Sequence, residues 1–545
     1  MPIDSNLSPL YTFEQTTNLS SPQGLLTRDA QQYIATRLPD TCTPDGQSRF
    51  VRSGTSLPIG SYIPHLPNLN HSSDITQQRR AAIIEATKHA WNGYVRQAFG
   101  ADELAPVSGM GLNTFAPGLG TTIVDSIGTL YIMGLTNEYQ LAKQWVEHVL
   151  DFEKVQGKVI VFETVIRILG GLLSAFHLTG EEVFAEKAEE LGVRLVPALD
   201  TNSGYPWPRC SLRNVGECTY HQDSMTAISL ADIYLAEVGT VQLEYRALSF
   251  HSTDSFVSRI STWSDRVIDQ LQNTTSNSPR LEEYPQLLPS HLSLTTGRFS
   301  TNLITLGAPA DSYFEYLIKL YIQSGKKETK YWKIFKSVIR AVLKVGTYTS
   351  SKGDRISRDI IPGRASGIQY SNRMDHFSCY LPGVLVLGMD NLEDEDEKQE
   401  WLRLAENLTE TCHKMYERSP SGLSGEDIRI GKNDVWHQSG GYHLRPEAVE
   451  AFFYMWRYTK NEKYREWAWE VFEALEKHCK TPFGYAVIRN ARSKYPRKED
   501  RMHSFVIAET FKYLYLIFEE DDVLPLDKWV FNTEAHPLLI TPAIT

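Results

Sequence analysis

The chain has 545 residues, 41% hydrophobic and 22% charged, a composition able to bury a large core. Its 55 lysines and arginines against 66 aspartates and glutamates leave a net charge of -11, so no basic surplus exists to neutralise a phosphate backbone and no nucleic-acid partner is expected. No apolar run approaches the roughly 20 residues of a bilayer span, and the opening MPIDSNLSPLYTF lacks the charged and apolar regions of a secretory signal, so no transmembrane segment or signal peptide is visible in this chain.

Residues 1–75 are rich in Ser, Thr, Pro, Asn and Gln and read as a poorly ordered extension. From Thr76 onward, apolar residues recur at three- and four-residue intervals. This predicts helices over 78–99, 121–135, 138–154, 162–178, 181–197, 224–238, 311–324, 328–347, 376–388, 396–417, 445–459, 461–477 and 502–518. Strand-like stretches are few and short. No Gly-rich linker divides the helices, so 76–540 reads as one all-α domain. The helices come in pairs, and a ring of helical hairpins is the economical way to bury so many one-sided helices around one core. A superhelical solenoid is the competitor, but no repeat of roughly 34 or 40 residues is visible.

Carboxylates stand at or near the starts of the most apolar helices. Glu163 in VFETVIRILGGLLSAF has Arg167 one turn on; Asp311 and Glu315 in ADSYFEYLIKLYI share a face; Glu447 and Glu450 follow Arg445 in LRPEAVEAFFYMW. Glu509 lies inside HSFVIAETFKYLYLIF, and VFNTEAHP places Thr533, Glu534 and His536 in a loop. Singly, each acid also suits a helix start, where a carboxylate meets the dipole. Together, among such apolar neighbours, they read as buried carboxylates, which need partners, an ion or a raised pKa. That set suits glycoside hydrolysis, with one acid protonating the leaving oxygen and another group activating water. It equally suits a hard cation such as Ca²⁺. No HExxH or CxxC motif points to zinc or thiol chemistry.

Six cysteines occur, at 42, 210, 218, 379, 412 and 479, and their spacing does not decide their pairing. Sequons at Asn6, Asn18, Asn70, Asn273 and Asn407 matter only in a secretory compartment.

From about Trp91 to Pro537 an ordered set of motifs, among them FGADELAPVS, TTIVDSIGTLYIMGL, FETVIRILGGLLSAF, GYPWPR, ADSYFEYLIK, HFSCYLPG, YHLRPEAVEAFFYMWRYT and VFNTEAHP, resembles glycoside hydrolase family 47, the class I α-1,2-mannosidases. The resemblance implies an (α/α)7 barrel holding one Ca²⁺, and inverting removal of terminal α-1,2-linked mannose from high-mannose N-glycans. It implies that Glu447 is the base activating water, and that Glu163 or Asp311 is the acid, with Glu163 favoured, acting through a water. Glu426 matches a further family acid, although Gly425 stands where the motif has Pro. Thr533 would give its hydroxyl and carbonyl oxygens to Ca²⁺, with Glu509 and Glu534 reaching it through waters. Arg167, Glu315, His376, Arg445, Glu450, Phe505 and Glu509 match residues around the family's mannose subsite. Cys379 and Cys412 match its disulfide, which with the sequons points to the secretory pathway, in the Golgi or ER lumen or outside the cell.

The chain departs from the family pattern at Gly128, where an Asp is usual, and at His503, where M-E-S-F reads Met502-His503-Ser504-Phe505. Both are expected near the barrel core. They keep open an alternative, a weak or inactive mannose-binding lectin on the same fold. Pro309, two residues before Asp311, resembles Golgi-type or secreted members more than those of the endoplasmic reticulum, which carry Arg there.

Overall fold

The computed structural model describes residues 74–220, 232–274, 281–363, 367–431 and 436–540; most of the expected 1–75 extension lies outside them. Helix formation begins at Ile75, where the Asp74 side chain caps the first turn by accepting from the Thr76 N–H at 2.9 Å. Among the described residues, helices then alternate between two roles. Those at Thr121–Ile132, Val161–Thr179, Gln242–His251, Asp311–Gln323, Leu381–Met389, Glu447–Thr459 and Val506–Leu516 are apolar on nearly every side and buried. Each packs against a more polar partner, in order Thr136–His148, Glu182–Leu199, Ile260–Asn273, Thr329–Ala341, Glu395–Glu417, Lys463–His478 and finally Ile75–Ala98.

Each inner helix also touches the next inner helix, and the Val506–Thr510 segment returns to touch Thr121–Ile132. The ring is therefore closed, with seven hairpin pairs, the last made between the two ends of the described chain. An inner helix is covered by two neighbours and an outer partner, so it has no polar face to keep; an outer helix keeps one. For the same reason Val161–Thr179, long and apolar enough by composition to cross a bilayer, is a core helix of the ring.

Two differences from the predicted helices arise in the middle of the chain. The segment expected at 224–238 falls partly outside the described residues; where it is described, Asp232–Tyr234 is a strand and only Leu235–Gly239 is helical. The helices Gln242–His251 and Ile260–Asn273 were not expected. The second buries Ile260, Val267, Ile268 and Leu271, helical spacing that Ser, Thr and Val dilute with poor helix formers.

Short antiparallel strands of two to four residues join the hairpins. Three groups position the site. Val159–Ile160, Arg209–Cys210 and Cys218–Thr219 form a small sheet that delivers the chain into Glu163. Arg373–Asp375, Asp427–Ile430 and Trp436–Ser439 form another ahead of His376. The hairpin Trp529–Phe531/Pro537–Leu539 packs against the inner helices Asp311–Gln323 and Gly170–Thr179 and carries Thr533 in its turn.

Disulfides join Cys379 to Cys412 and Cys210 to Cys218, the second a cross-strand pair that spacing had not assigned, and Cys479 is a buried free thiol.

Candidate active site

A cavity of about 500 Å³ opens among the inner helices. Its lining takes in Glu163, Arg167, Asp311, Glu315, Arg445, Glu447, Glu450, Phe505, Glu509, Thr533 and Glu534, residues up to 371 positions apart in the chain. Of the catalytic and sugar-binding residues that the resemblance implies, His376 and Glu426 do not line it. His376 is buried behind Glu447, with Nδ1 3.0 Å from Glu447 Oε2 and Nε2 2.8 Å from the Tyr416 hydroxyl. Glu426 stands behind Arg445, accepting from its Nε at 2.9 Å and its Nη2 at 2.7 Å.

Local backbone explains how these side chains reach the cavity. Arg167 sits in a π-helical turn, Thr164–Leu169, and Glu509 in another, Val506–Thr510. The extra residue per turn breaks the 3.6-residue register at functional positions. Asp311 and Glu447 each open an inner helix, where the exposed N–H groups of the first turn favour a carboxylate; Asp311 accepts from the Ser312 N–H at 2.8 Å. Thr533 donates its hydroxyl to Glu315 at 2.8 Å, and Asn532 fixes the turn by accepting from the N–H groups of Glu534 and His536.

Nine carboxylates line the cavity against three arginines, Arg167, Arg445 and Arg501. Arg167 donates to Glu163 at 2.7 Å, pairs with Glu534, and has its guanidinium 5.3 Å from the Phe115 ring centroid and 5.7 Å from that of Phe505. Lys319, fully buried below the lining, pairs with Glu315 and lies 4.0 Å from Glu450. The cations do not balance the acids. Burial, reinforced by Asp375, Glu315 and Glu447, pushes Asp311 up to about 7. Burial also lifts Glu450 to about 8 against the pull of Lys319. Glu509 and Glu534 are raised as well, chiefly by burial, with Glu447 repelling the first and Arg167 opposing the rise of the second.

Such a surplus of buried oxygen acids fits a hard cation. Among the described residues no three His, Cys, Asp or Glu side chains converge as metal ligands. The donor set therefore fits Ca²⁺ and does not fit zinc.

Several lining residues escaped sequence reasoning. Tyr234 and Glu237 close one wall, next to a segment whose helix was misplaced. Glu103, in FGADELAPVS, accepts from Thr114 at 2.7 Å and Arg501 at 2.9 Å and stands 3.1 Å from His503 Nδ1. Burial opposes its ionisation, yet His503 and Arg501 hold it at about 2. His503 stacks on Phe505, the ring centroids 4.8 Å apart. Gly128, by contrast, does not line the cavity. A Cβ there would meet Leu178 and Ser174, both at 3.6 Å, between two inner helices. Gly128 thus lies in the barrel core, in the inner helix Thr121–Ile132, but off the cavity wall, on which His503 does lie.

Comparison with known proteins agrees with this architecture. Residues 86–540 match the family model described as glycosyl hydrolase family 47. The chain is 37% identical over 496 residues to mannosyl-oligosaccharide 1,2-alpha-mannosidase IA of Sus scrofa, covering 89% of this chain and 72% of the relative. It is 39% identical over 477 residues to an endoplasmic reticulum mannosyl-oligosaccharide 1,2-alpha-mannosidase of Rattus norvegicus, covering 85% and 68%. Among solved structures, an alpha-1,2-mannosidase from Trichoderma reesei superposes with a TM-score of 0.75 at 25% identity, over 85% of this chain and 99% of the other.

Proposed function

Because the chain belongs to glycosyl hydrolase family 47 and is a glycosidase of the α-1,2-mannosidase kind, we propose that it removes terminal α-1,2-linked mannose from high-mannose N-glycans, with inversion and with Ca²⁺ held at Thr533. The observation that carries this reading is the gathering of nine carboxylates with Thr533 in one cavity. Bound there, Ca²⁺ would offset the surplus negative charge and orient the hydroxyls of the terminal sugar.

The chain's own residues do the rest. Glu447 takes a proton from the attacking water, and His376, itself anchored by Tyr416, orients that carboxylate. The water oxygen bonds to the anomeric carbon as the glycosidic C–O bond breaks, and the leaving oxygen receives a proton. Inversion needs room for that water, with acid and base roughly 6.5–9.5 Å apart. We assign the proton donor to Glu163, acting through a water, as the family resemblance implies, with Arg167 fixing the carboxyl's orientation by donating to one of its oxygens. Phe505, stacked on His503, contributes an apolar part of the wall around the sugar. Glu426 is a positioning residue, holding Arg445, whose guanidinium lies 4.0 Å from the Phe377 ring centroid.

One observation favours a second assignment within this mechanism. Asp311, at about 7, keeps a proton near neutral pH and is the alternative donor.

The two disulfides are bonds of an oxidising compartment and support work in the secretory pathway. Incubation with a nine-mannose N-glycan and Ca²⁺, followed by mass spectrometry, should show stepwise loss of hexose that a chelator stops and Ca²⁺ restores. A glycan bound but left intact would overturn the reading in favour of a lectin. Turnover indifferent to chelator would remove Ca²⁺ from it.

A further inference from the structure

Residues 489–501, Arg-Asn-Ala-Arg-Ser-Lys-Tyr-Pro-Arg-Lys-Glu-Asp-Arg, carry six basic side chains against two acidic ones in a chain whose net charge is -11. The segment is a built loop. Ile488 bridges both Tyr442 and Lys498, the Arg489 N–H donates to the Arg497 carbonyl at 2.8 Å, and Asn490 and Ser493 turn the tip by accepting from the N–H groups of Arg492 and Tyr495. It hangs from the cavity rim, because Arg501 lines the cavity and Tyr442 precedes Arg445 by three residues.

Both acids of the loop are already engaged. Glu499 pairs with Arg489 at 3.1 Å, and Asp500 accepts from the N–H groups of Val107 and Ser108. Lys498 donates to the Lys480 carbonyl at 2.5 Å. Arg492, Lys494 and Arg497 are left exposed, with no carboxylate partner among the described residues, and between them Tyr495 is 88% exposed.

Resting on the function proposed above, we infer that this loop docks an acidic stretch of the polypeptide that carries the glycan, while the glycan's terminal sugar occupies the cavity. Three unpaired cations spread over six positions match a row of carboxylates. An exposed Tyr among Arg side chains has the composition of a protein-protein contact. A phosphate on the glycan would instead call for donors converging on one point. Exposed charges of this kind act mainly on encounter rate and are screened by salt.

The test compares the wild-type chain with the triple variant R492E/K494E/R497E on three substrates: a free nine-mannose glycan, the same glycan on an acidic carrier protein, and the same glycan on a basic carrier. At low salt the wild type should favour the acidic carrier by about tenfold in kcat/KM. That preference should vanish in the variant and at about 0.3 M salt, with the free glycan processed equally by both proteins. Equal wild-type rates on the two carriers, or a variant that keeps the preference, would overturn the inference. A variant slowed equally on the free glycan would place the loop on the sugar instead and also overturn it. Binding of the carriers stripped of their glycan needs no turnover: wild-type retention of the acidic one, lost in the variant, is expected even if no mannose is released. That outcome would separate failure of the docking surface from failure of the proposed hydrolysis.

Discussion

At the scale of single residues, the pairing of Glu447 with His376 decides what substitutions should do. Glu447→Gln keeps shape and hydrogen-bonding capacity but removes the base, so turnover should fall by about 10²–10⁴-fold while glycan binding, measured by calorimetry, is retained. Full activity in that variant would remove Glu447 from the role. The choice between Glu163 and Asp311 as proton donor has a sharper readout, α-mannosyl fluoride, whose leaving group needs no protonation. Glu163→Gln should lose glycan hydrolysis yet keep fluoride hydrolysis, a split that Asp311→Asn should not show. The reverse pattern would transfer the acid to Asp311, the residue that burial holds at about 7.

At the scale of elements, two adjacent glycines show how tightly the inner helices approach the site. A Cβ on Gly171 would stand 2.8 Å from the Val124 carbonyl oxygen, backbone of the neighbouring inner helix. One on Gly170 would stand 2.6 Å from Asn532 Nδ2, the side chain that fixes the Thr533 turn. Gly171→Ala should therefore cost about 1–3 kcal/mol of stability in denaturant unfolding, because backbone cannot step aside cheaply. Gly170→Ala acts through the turn instead. It should weaken Ca²⁺ binding, read by calcium titration of thermal stability, by more than it lowers the melting temperature of the calcium-free protein. Equal effects of the two substitutions on calcium affinity would refute that division.

At the scale of the whole molecule, the ring buries more acids than its cations balance, and this couples stability to pH. Asp311 and Glu244, at about 7, and Glu450, at about 8, all lie above their unfolded values, with burial the largest cause in each. The folded chain thus holds more protons than the unfolded chain between those limits, so stability falls as pH rises through the folded values. His536 opposes this on the acid side, since burial lowers it to about 4 and its neutral form is favoured above that. In chelator, the melting temperature should drop by several degrees from about pH 6.5 to about pH 8. Saturating Ca²⁺ should flatten that dependence. A calcium-free melting temperature that rises over the same interval would contradict the charge imbalance.

Much of the architecture was legible in the sequence, because apolar spacing marks a helix wherever one face or every face is buried. The positions of Glu163, Asp311, Glu447 and Glu509 within apolar helices marked them as acids unlikely to meet solvent. Helix 260–273, dilute in helix formers, and the split at 232–239 were less legible, since tertiary contacts outweigh propensity there. The histidine at position 503 and the glycine at 128 are both plain in the sequence, but only packing separated them. One reaches the cavity wall and pairs with Glu103, 400 residues away, and the other faces Leu178 and Ser174 between helices. Likewise the sequence could not tell that His376 and Glu426 stand one shell behind Glu447 and Arg445. By itself it determined the helix periodicity, the acid-rich motifs and their order. Closure of the ring decided which of those side chains share a cavity, because distance in space depends on long-range packing that local spacing does not encode.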